Sequence, residues 1–256
     1  MKFCVVASGS KGNMTYIETN SKKILIDTGV SLTNASKRCP DIDFNNITDI
    51  FITHEHIDHI HFLPNILKKT NANLYISKKS FMNLKPDIFN SIKTYNIRFI
   101  EGESRYVFDD FEVLTLILSH DTKETFGYIF ISEGKSVGYI TDTGIFPNRY
   151  KSVIMDLDAL IIEANHNVEM LVNSDRDLFL INRILSTKGH LSNQACFDLL
   201  NESISDKIKH IILAHISEDC NTDECLYNEI INKLIVKYKG EIFIARQHEA
   251  MKIIEL

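Results

Sequence analysis

Proline and glycine are scarce in this sequence. Among its 256 residues there are 4 prolines and 10 glycines, and 44% of the residues are hydrophobic. This composition excludes a disordered or low-complexity chain, because it supplies enough apolar surface to bury a substantial core. No linker-like stretch divides the sequence, so we expect residues 1–256 to form a single domain.

Signals for membranes, secretion and disulfide bonds are also missing. No run approaches 18 apolar residues, and residues 1–10, MKFCVVASGS, lack the basic and apolar regions of a secretion signal. The 5 cysteines are scattered without a C-x-x-C pair, which favours reduced thiols. We therefore expect a cytoplasmic protein that does not bind membranes. The net charge of −6 argues against a surface that coats nucleic acid broadly, but it allows a local basic rim around a cleft.

Short runs of β-branched and aromatic residues predict many strands. In the first half they are KFCVVAS, MTYIET, KILIDTG, DIFITH, NLYIS and IRFIE, and in the second half RYVFDDFEVLTLILSH, GYIFISEGKSVGYITDTG, DALIIEAN, KHIILAHIS and EIFIAR. Helices are predicted over residues 32–38, 57–69, 80–89 with an interruption near Pro86, 167–185, 190–204 and 222–238. Hairpins early in each half, followed by alternating strands and helices, predict an α/β fold of two mixed sheets with helices outside, a four-layer αββα sandwich.

Four of the ten histidines fall within residues 54–61, which read HEHIDHIH. Alternate residues of an extended segment point the same way, so His54 and His56 can aim two imidazoles into one space. Asp58 and His59 follow where the chain turns into a helix. Imidazole and carboxylate ligands suit Zn²⁺, Mn²⁺ or Fe, and two such ions about 3.5–4 Å apart can promote hydrolysis together. His61 has no partner in this pattern and is predicted to be an ordinary helix residue.

Three more side chains that can bind a metal each close an apolar strand. His120 ends LTLILSH, Asp142 follows GYIT, and His215 ends HIILAH. Because the strands of a sandwich bring their ends to a common edge, we expect these residues to join the histidines of residues 54–59. The sequence therefore predicts a cluster of metal ligands at one edge of the sheets.

The set HxHxDH, His, Asp and His, with LIDTG at residues 25–29, resembles the metallo-β-lactamase superfamily along essentially the whole chain. This resemblance implies the αββα fold and two divalent metal ions, Zn, Mn or Fe. Its implied ligands are His54, His56 and His120 for the first ion, Asp58, His59 and His215 for the second, and Asp142 between them beside a bridging hydroxide that acts as the nucleophile. Asp27 would stand behind the ligands and steady the HxHxDH loop.

The segment GHLSN at residues 189–193 resembles the phosphodiesterase branch of that superfamily, notably tRNase Z. Ser192 is a good N-cap, so the helix after it offers free N–H groups to an anion. His190 stands just before this helix and can donate a proton to the leaving oxygen. Glu163 resembles the acidic residue that accompanies this histidine in tRNase Z, where it would orient the ring.

Further segments, among them SGSKGN, HIDH, SHD, TDTG, EANHN and HISEDCN, resemble the YycJ/WalJ group of bacterial proteins. Members of this group are described as exonucleases that act on DNA from the 5′ end. The resemblance therefore implies a metal-dependent phosphodiester hydrolase, a 5′-to-3′ exonuclease with DNA as its substrate. Asp58 would be a metal ligand that can also accept a proton.

Two other classes of function stay open at this point. One is a metal-dependent hydrolase of a small ester, thioester, lactone or cyclic phosphate, and the other is a metal-stabilised binding module without catalysis. Candidate substrate contacts are Lys11 and Asn13 in SGSKGN, His166 in EANHN, and Ser192 at the start of its helix. A loop with two glycines can approach a phosphate closely, which is why the first two residues are included.

Overall fold

Two seven-stranded sheets form the centre of the protein in the computed structural model, which describes residues 1–256. The strands are β1 (Lys2–Ala7), β2 (Met14–Glu18), β3 (Lys23–Ile26), β4 (Asp49–Phe51), β5 (Asn73–Ser77), β6 (Ile97–Ile100), β7 (Arg105–Val107), β8 (Glu112–Leu118), β9 (Thr125–Ser132), β10 (Lys135–Ile140), β11 (Ala159–Glu163), β12 (His210–Ala214), β13 (Glu241–Ile244) and β14 (Ile254–Glu255). The first sheet has the order β14-β1-β2-β3-β4-β5-β6, and the second has the order β13-β12-β11-β10-β9-β8-β7.

Short helices connect the strands and cover the sheets. They are α1 (Leu32–Arg38), α2 (Ile57–Ile60), α3 (Leu63–Thr70), α4 (Lys78–Met82), α5 (Pro86–Ile92), α6 (Lys151–Met155), α7 (Val168–Val172), α8 (Leu178–Leu185), α9 (Asn193–Ser203), α10 (Asp223–Leu226) and α11 (Asn232–Leu234). Two 3₁₀ turns span Phe44–Asn46 and Asn148–Tyr150, and a π-helical turn spans Tyr227–Ile231. None of these helices combines the length and the apolar character that crossing a bilayer requires.

The directions of the strands determine where residues that are far apart in the sequence come together. In the first sheet β3 pairs in parallel with β4, and in the second sheet β10, β11 and β12 pair in parallel. Because β9 is antiparallel to both β8 and β10, β8 runs in the same direction as β10. The carboxyl ends of these strands therefore share one edge in each sheet, and the residues that follow them can converge.

An apolar core fills the space between the two sheets. Phe51 on β4 stacks on Tyr75 of β5 with ring centroids 4.4 Å apart, and the edge of its ring contacts Phe130 of β9 at 5.2 Å. The outer face of the first sheet packs against α1 and α3 to α5, and that of the second sheet packs against α6 and α9. The layers are helix, sheet, sheet and helix, so the predicted αββα sandwich is confirmed.

Several predicted helices are shorter than expected, and proline explains two of the breaks. The predicted helix 57–69 is divided into α2 and α3, and the predicted helix 80–89 into α4 and α5. Pro64 and Pro86 lie in the first turns of α3 and α5. Proline lacks an N–H group and clashes with the preceding turn, so it fits the first turn of a helix but not its interior.

Two further helix predictions were wrong in length, and a new cap explains the first. The predicted helix 167–185 ends at Val172, and Asp177 starts α8 by accepting a hydrogen bond from the Leu180 N–H. The predicted helix 222–238 consists of α10, the π-helical turn and α11, which ends at Leu234. A carboxylate directly before a helical run favours a cap over continuation, which the apolar spacing does not reveal.

The inter-sheet core should dominate the stability of the fold. We expect Phe51→Ala to destabilise the protein by about 3–5 kcal/mol, because it removes a ring with no solvent exposure from a close-packed layer. The matched control is Phe179→Ala, which truncates a phenylalanine that is 80% exposed. Thermal melting of both variants checks the prediction: a drop of roughly 10 °C is expected for the first and almost none for the second. Equal melting temperatures would show that the layer is not close-packed.

Candidate metal centre

The residues of the centre follow the carboxyl ends of strands from both sheets. His54 lies just beyond β4, His120 beyond β8, Asp142 beyond β10, and His215 directly after β12. All four are buried, with at most 6% of their surface exposed. The sandwich thus gathers the predicted ligands into one space where the edges of the two sheets meet.

Three residues of the centre have a left-handed backbone conformation. Asp27, Asp142 and His215 have φ values of 61°, 58° and 51°. Residues other than glycine adopt this conformation rarely and at a cost of about 1 kcal/mol or more, and such residues concentrate at functional sites. Each of them marks a sharp turn at the end of a strand, which keeps the side chain in the cluster while the chain changes direction.

His54, His56 and His120 form the first group of potential ligands. One ring nitrogen of each lies within 4.8 Å of the others, and His120 Nε2 is 3.3 Å from His56 Nδ1. A tetrahedral ion with bonds of about 2.0–2.1 Å holds its ligand atoms about 3.4 Å apart. The spacing therefore fits one metal ion bound by three imidazoles.

Asp58, His59 and His215 form the second group. His59 Nε2 and His215 Nε2 lie 3.3 Å and 3.8 Å from Asp58 Oδ2. Asp142 stands between the two groups: one of its oxygens is 3.4 Å from His59 Nε2, and the other is 3.4 Å from His215 Nε2 and 3.8 Å from His120 Nε2. A carboxylate in this position can contact two ions at once.

Hydrogen bonds on the far side of the rings leave the facing nitrogens free. His120 Nδ1 lies 3.0 Å from the Gly189 carbonyl, and His215 Nδ1 lies 2.9 Å from Glu163 Oε1. These acceptors favour a proton on Nδ1 and a lone pair on Nε2, the form in which histidine binds a metal. His54 Nε2, Asp142 Oδ2 and His215 Nε2 are buried without any hydrogen-bond partner. Such atoms are costly unless they coordinate something, so the donor set fits bound metal.

The burial of the cluster and the charge of its side chains also favour a bound cation. Burial lowers the pKa of His54 well below its ordinary value, so this ring is neutral and can donate a lone pair. Burial would also lower the pKa of His215, but the carboxylates around it, Asp142 first among them, raise it to about 10. The cluster therefore contains an excess of negative charge that protons on histidine must neutralise in the absence of a cation. A divalent ion supplies that positive charge.

Asp27 stabilises the loop that carries the ligands. Its carboxylate accepts hydrogen bonds from the Thr53 N–H at 2.9 Å and the Thr53 hydroxyl, and it lies 2.7 Å from His59 Nδ1. The segment that follows Asp27 also lies close to the loop of ligands. A Cβ atom on Gly29 would lie 1.8 Å from the Asp58 carbonyl oxygen. Only glycine fits there.

His190 and Glu163 form a pair at the border of the cluster. His190 Nδ1 is 2.7 Å from Glu163 Oε1 and 3.8 Å from Asp142 Oδ1, and 19% of its side chain is exposed. Glu163 also accepts hydrogen bonds from the N–H groups of Thr143 and Leu191. Burial would raise the pKa of Glu163, but His190 and His215 hold it well below its usual range, so the carboxylate is ionised. His190 Nε2 forms no hydrogen bond within the protein and is available to a substrate.

The four candidate substrate contacts have different surroundings. Lys11 is exposed, and its ammonium group pairs with Glu218 at 2.6 Å. Ser192 caps α9 by accepting from the Ala195 N–H, and His166 is 1% exposed with Nδ1 3.3 Å from Asn165 Oδ1. Each of these three contacts stays a prediction.

Asn13, the fourth candidate, contacts a metal ligand. Its side chain is completely buried and donates to Asp58 Oδ2 at 3.1 Å and to the Gly9 carbonyl at 3.0 Å. Asn13 therefore orients Asp58, and its contact with a substrate stays a prediction.

Two participants in the centre were not predicted. Thr53 links Asp27 to the ligand loop and lies 3.0 Å from His54 Nδ1. Asp121 directly follows His120, its Oδ1 lies 3.4 Å from His120 Nε2, and its other oxygen accepts from Arg183 Nε. Their positions beside ligands, in ITH and SHD, are the only sequence signal for them.

Two face-to-face sheets with a His/Asp cluster at their carboxyl edge are typical of the metallo-β-lactamase fold, and the fold and cluster together imply that the protein binds divalent metal. The chain belongs to the β-lactamase superfamily: residues 22–216 match the family model described as the beta-lactamase superfamily domain.

Named relatives support the narrower resemblance to the YycJ/WalJ group. The chain is 36% identical over 226 residues to exodeoxyribonuclease YycJ of Bacillus anthracis, covering 88% of this chain and 85% of that protein. It is 32% identical over 241 residues to exodeoxyribonuclease WalJ of Streptococcus pneumoniae, covering 91% and 88%. The crystal structure of the metallo-beta-lactamase fold protein YhfI from Bacillus subtilis superposes with a TM-score of 0.71 at 13% identity, covering 98% of both chains.

Asp27 should control metal affinity without being a ligand. We expect Asp27→Asn to weaken metal binding about 10- to 100-fold, because an amide has one accepting oxygen and cannot accept from both the Thr53 N–H and His59. Titration with a competing chelator measures the affinity. Asp49→Asn is the matched control, since Asp49 is an equally buried carboxylate at the opposite end of β4. If both variants retain wild-type affinity, Asp27 does not orient the ligands.

Proposed function

We propose that this protein is a metal-dependent phosphodiesterase that removes nucleotides from the 5′ ends of DNA. The observation that carries this proposal is the pair formed by His190 and buried Glu163, 3.8 Å from the central carboxylate of the metal cluster. A hydrolase whose substrate has a poor leaving group needs a proton donor at this position. The names of the two exodeoxyribonuclease relatives support DNA and the exonuclease activity.

The donor set supports two divalent ions, Zn, Mn or Fe. We assign the first ion to His54, His56 and His120, the second to Asp58, His59 and His215, and a contact with both to Asp142. When bound, the ions would supply a nucleophile derived from water and positive charge that stabilises the phosphate oxygens. All other contributions come from the side chains around them.

His190 would protonate the leaving oxygen of the sugar. The contact with Glu163 engages Nδ1 and fixes the plane of the ring, so the proton for transfer lies on Nε2, which forms no other hydrogen bond. Asp58 has one oxygen bonded to Asn13 and the other without a hydrogen bond. That second oxygen, Oδ1, would accept a proton from the attacking water.

The start of α9 supports an anionic substrate at this position. The helix has 11 residues and begins at Asn193, three residues after His190, with Ser192 as its cap. The positive end of a helix dipole stabilises an anion near the first turn. We therefore retain Ser192 as a candidate contact to a phosphate. A DNA substrate also implies that the protein works in the cytoplasm.

Nucleotide release from defined polymers tests the proposed activity. With Mn²⁺ or Zn²⁺ added to the purified protein, we expect stepwise release from the 5′ end of 5′-phosphorylated DNA and little release from RNA. The double variant Asp58→Ala/His59→Ala should be inactive, because it removes two ligands of one ion. His61→Ala is the matched control and should retain activity, since this exposed residue lies on the same turn of chain outside the cluster.

Two outcomes would contradict the proposal in different ways. Release from RNA with equal efficiency would remove the assignment to DNA. Hydrolysis of bis-p-nitrophenyl phosphate without cleavage of any polymer would move the substrate to small phosphodiesters and leave the metal centre intact.

His190 should affect turnover and leave metal binding intact. We expect His190→Ala to lower kcat about 10²- to 10⁴-fold on DNA, because the leaving oxygen would depart without its proton. Metal content measured by elemental analysis should equal that of the wild type, since His190 is outside both ligand groups proposed here. Wild-type turnover in this variant would assign His190 a structural role.

A further inference from the structure

A second concave site adjoins the metal centre. A cavity of about 380 Å³ opens beside His56, between the start of α2, the chain before α5 and the loop that follows His120. Its volume lies within the range of small-ligand pockets in proteins. Since 32% of the His56 side chain is exposed, the cavity and the first ligand group are in direct contact.

Two lysines on the cavity wall have no ion-pair partner. Lys85 and Lys123 are exposed and form no ion pair, whereas Lys79, on the neighbouring helix α4, is paired with Glu124 at 2.8 Å. Of the two carboxylates on the same wall, Asp121 is paired with Arg183. Glu55 Oε1 accepts from the Asn83 side chain at 2.8 Å and from the Lys123 N–H at 3.1 Å, whereas its Oε2 has no hydrogen-bond partner. A ligand entering the cavity would therefore meet two unpaired ammonium groups and one carboxylate.

Arg183 adds a third cation at the margin of the cavity. Its Nε donates to Asp121 Oδ2, which lies on the cavity wall, while its terminal nitrogens have no hydrogen-bond partner. Oδ1 of Asp121 is 3.4 Å from His120 Nε2. The Asp121 carboxylate therefore lies between the guanidinium of Arg183 and a proposed metal ligand. A guanidinium with free terminal N–H groups is well suited to a phosphate.

We propose that this cavity binds the sugar-phosphate backbone of the substrate next to the scissile bond. This inference rests on the proposed function, because it requires a polynucleotide at the metal centre. Ile57 is the one apolar residue of the wall, and no phenylalanine, tyrosine or tryptophan is present for a base to stack on. Contacts to phosphates position a strand without reading its sequence, so the site favours polymers over small phosphodiesters without preferring particular bases.

The salt dependence of cleavage tests this site. On single-stranded DNA, each lost phosphate contact should reduce the slope of log kcat/KM against log salt concentration by about 0.7, so Lys85→Ala/Lys123→Ala should reduce it by about 1.4. We also expect kcat/KM at low salt to fall about tenfold or more. The variant Lys85→Arg/Lys123→Arg keeps both charges and should restore the wild-type slope. All proteins are assayed with metal bound.

The matched control is Lys68→Ala/Lys69→Ala, which removes two exposed lysines from the last turn of α3. That turn leads into the amino end of β5, away from the edge that holds the metal centre, so the wild-type slope is expected. If wild-type protein cleaves DNA and Lys85→Ala/Lys123→Ala has the same slope as the wild type, the cavity does not bind the strand. If wild-type protein cleaves no DNA, the proposed function and this site are both overturned.

Discussion

The metal centre depends on the hydrogen bonds that one buried carboxylate, Asp27, makes with the loop that carries the ligands. Asp27 has no exposed surface, and it binds both the backbone and the hydroxyl of Thr53 as well as the ring of His59. Burial raises the pKa of Asp27, although these partners oppose the effect. Because Asp27 directly follows β3 and Thr53 follows β4, this contact also fixes the loop to the edge of the first sheet.

Carboxylates in the centre and exposed lysines beside it lie close together at this edge of the sheets. The centre holds four carboxylates, which protons on histidine or divalent cations must balance: Asp27, Asp58, Asp142 and Glu163. On the wall of the adjoining cavity are Lys85 and Lys123, which form no ion pair. A chain with a net charge of −6 can thus attract a polyanion locally, because the field near the cleft depends on nearby charges and not on the total.

Much of this could be predicted from the sequence because the ligands occupy strand ends. A run such as HIILAH gives both the strand and the residue after it, and parallel strands bring such residues to one edge. The remainder depends on contacts between distant segments. Nothing local indicates that Asn13 is buried against Asp58, or that Arg183 on α8 reaches Asp121 after β8. The left-handed turns at Asp142 and His215 are likewise imposed by packing, because neither residue favours that conformation on its own.

The position of His120 explains how one centre could combine general hydrolysis with selection of a polymer. Its ring lies 5.0 Å from that of His56 and 5.0 Å from that of His190. His120 therefore contacts both the ligand that borders the cavity and the proposed proton donor. A small phosphodiester would need only the metal centre and the donor, whereas a strand would extend past His56 into the cavity. Binding energy from the remote part of such a substrate can then be used at the reacting phosphate, which favours a polymer although the metal centre itself does not distinguish the two.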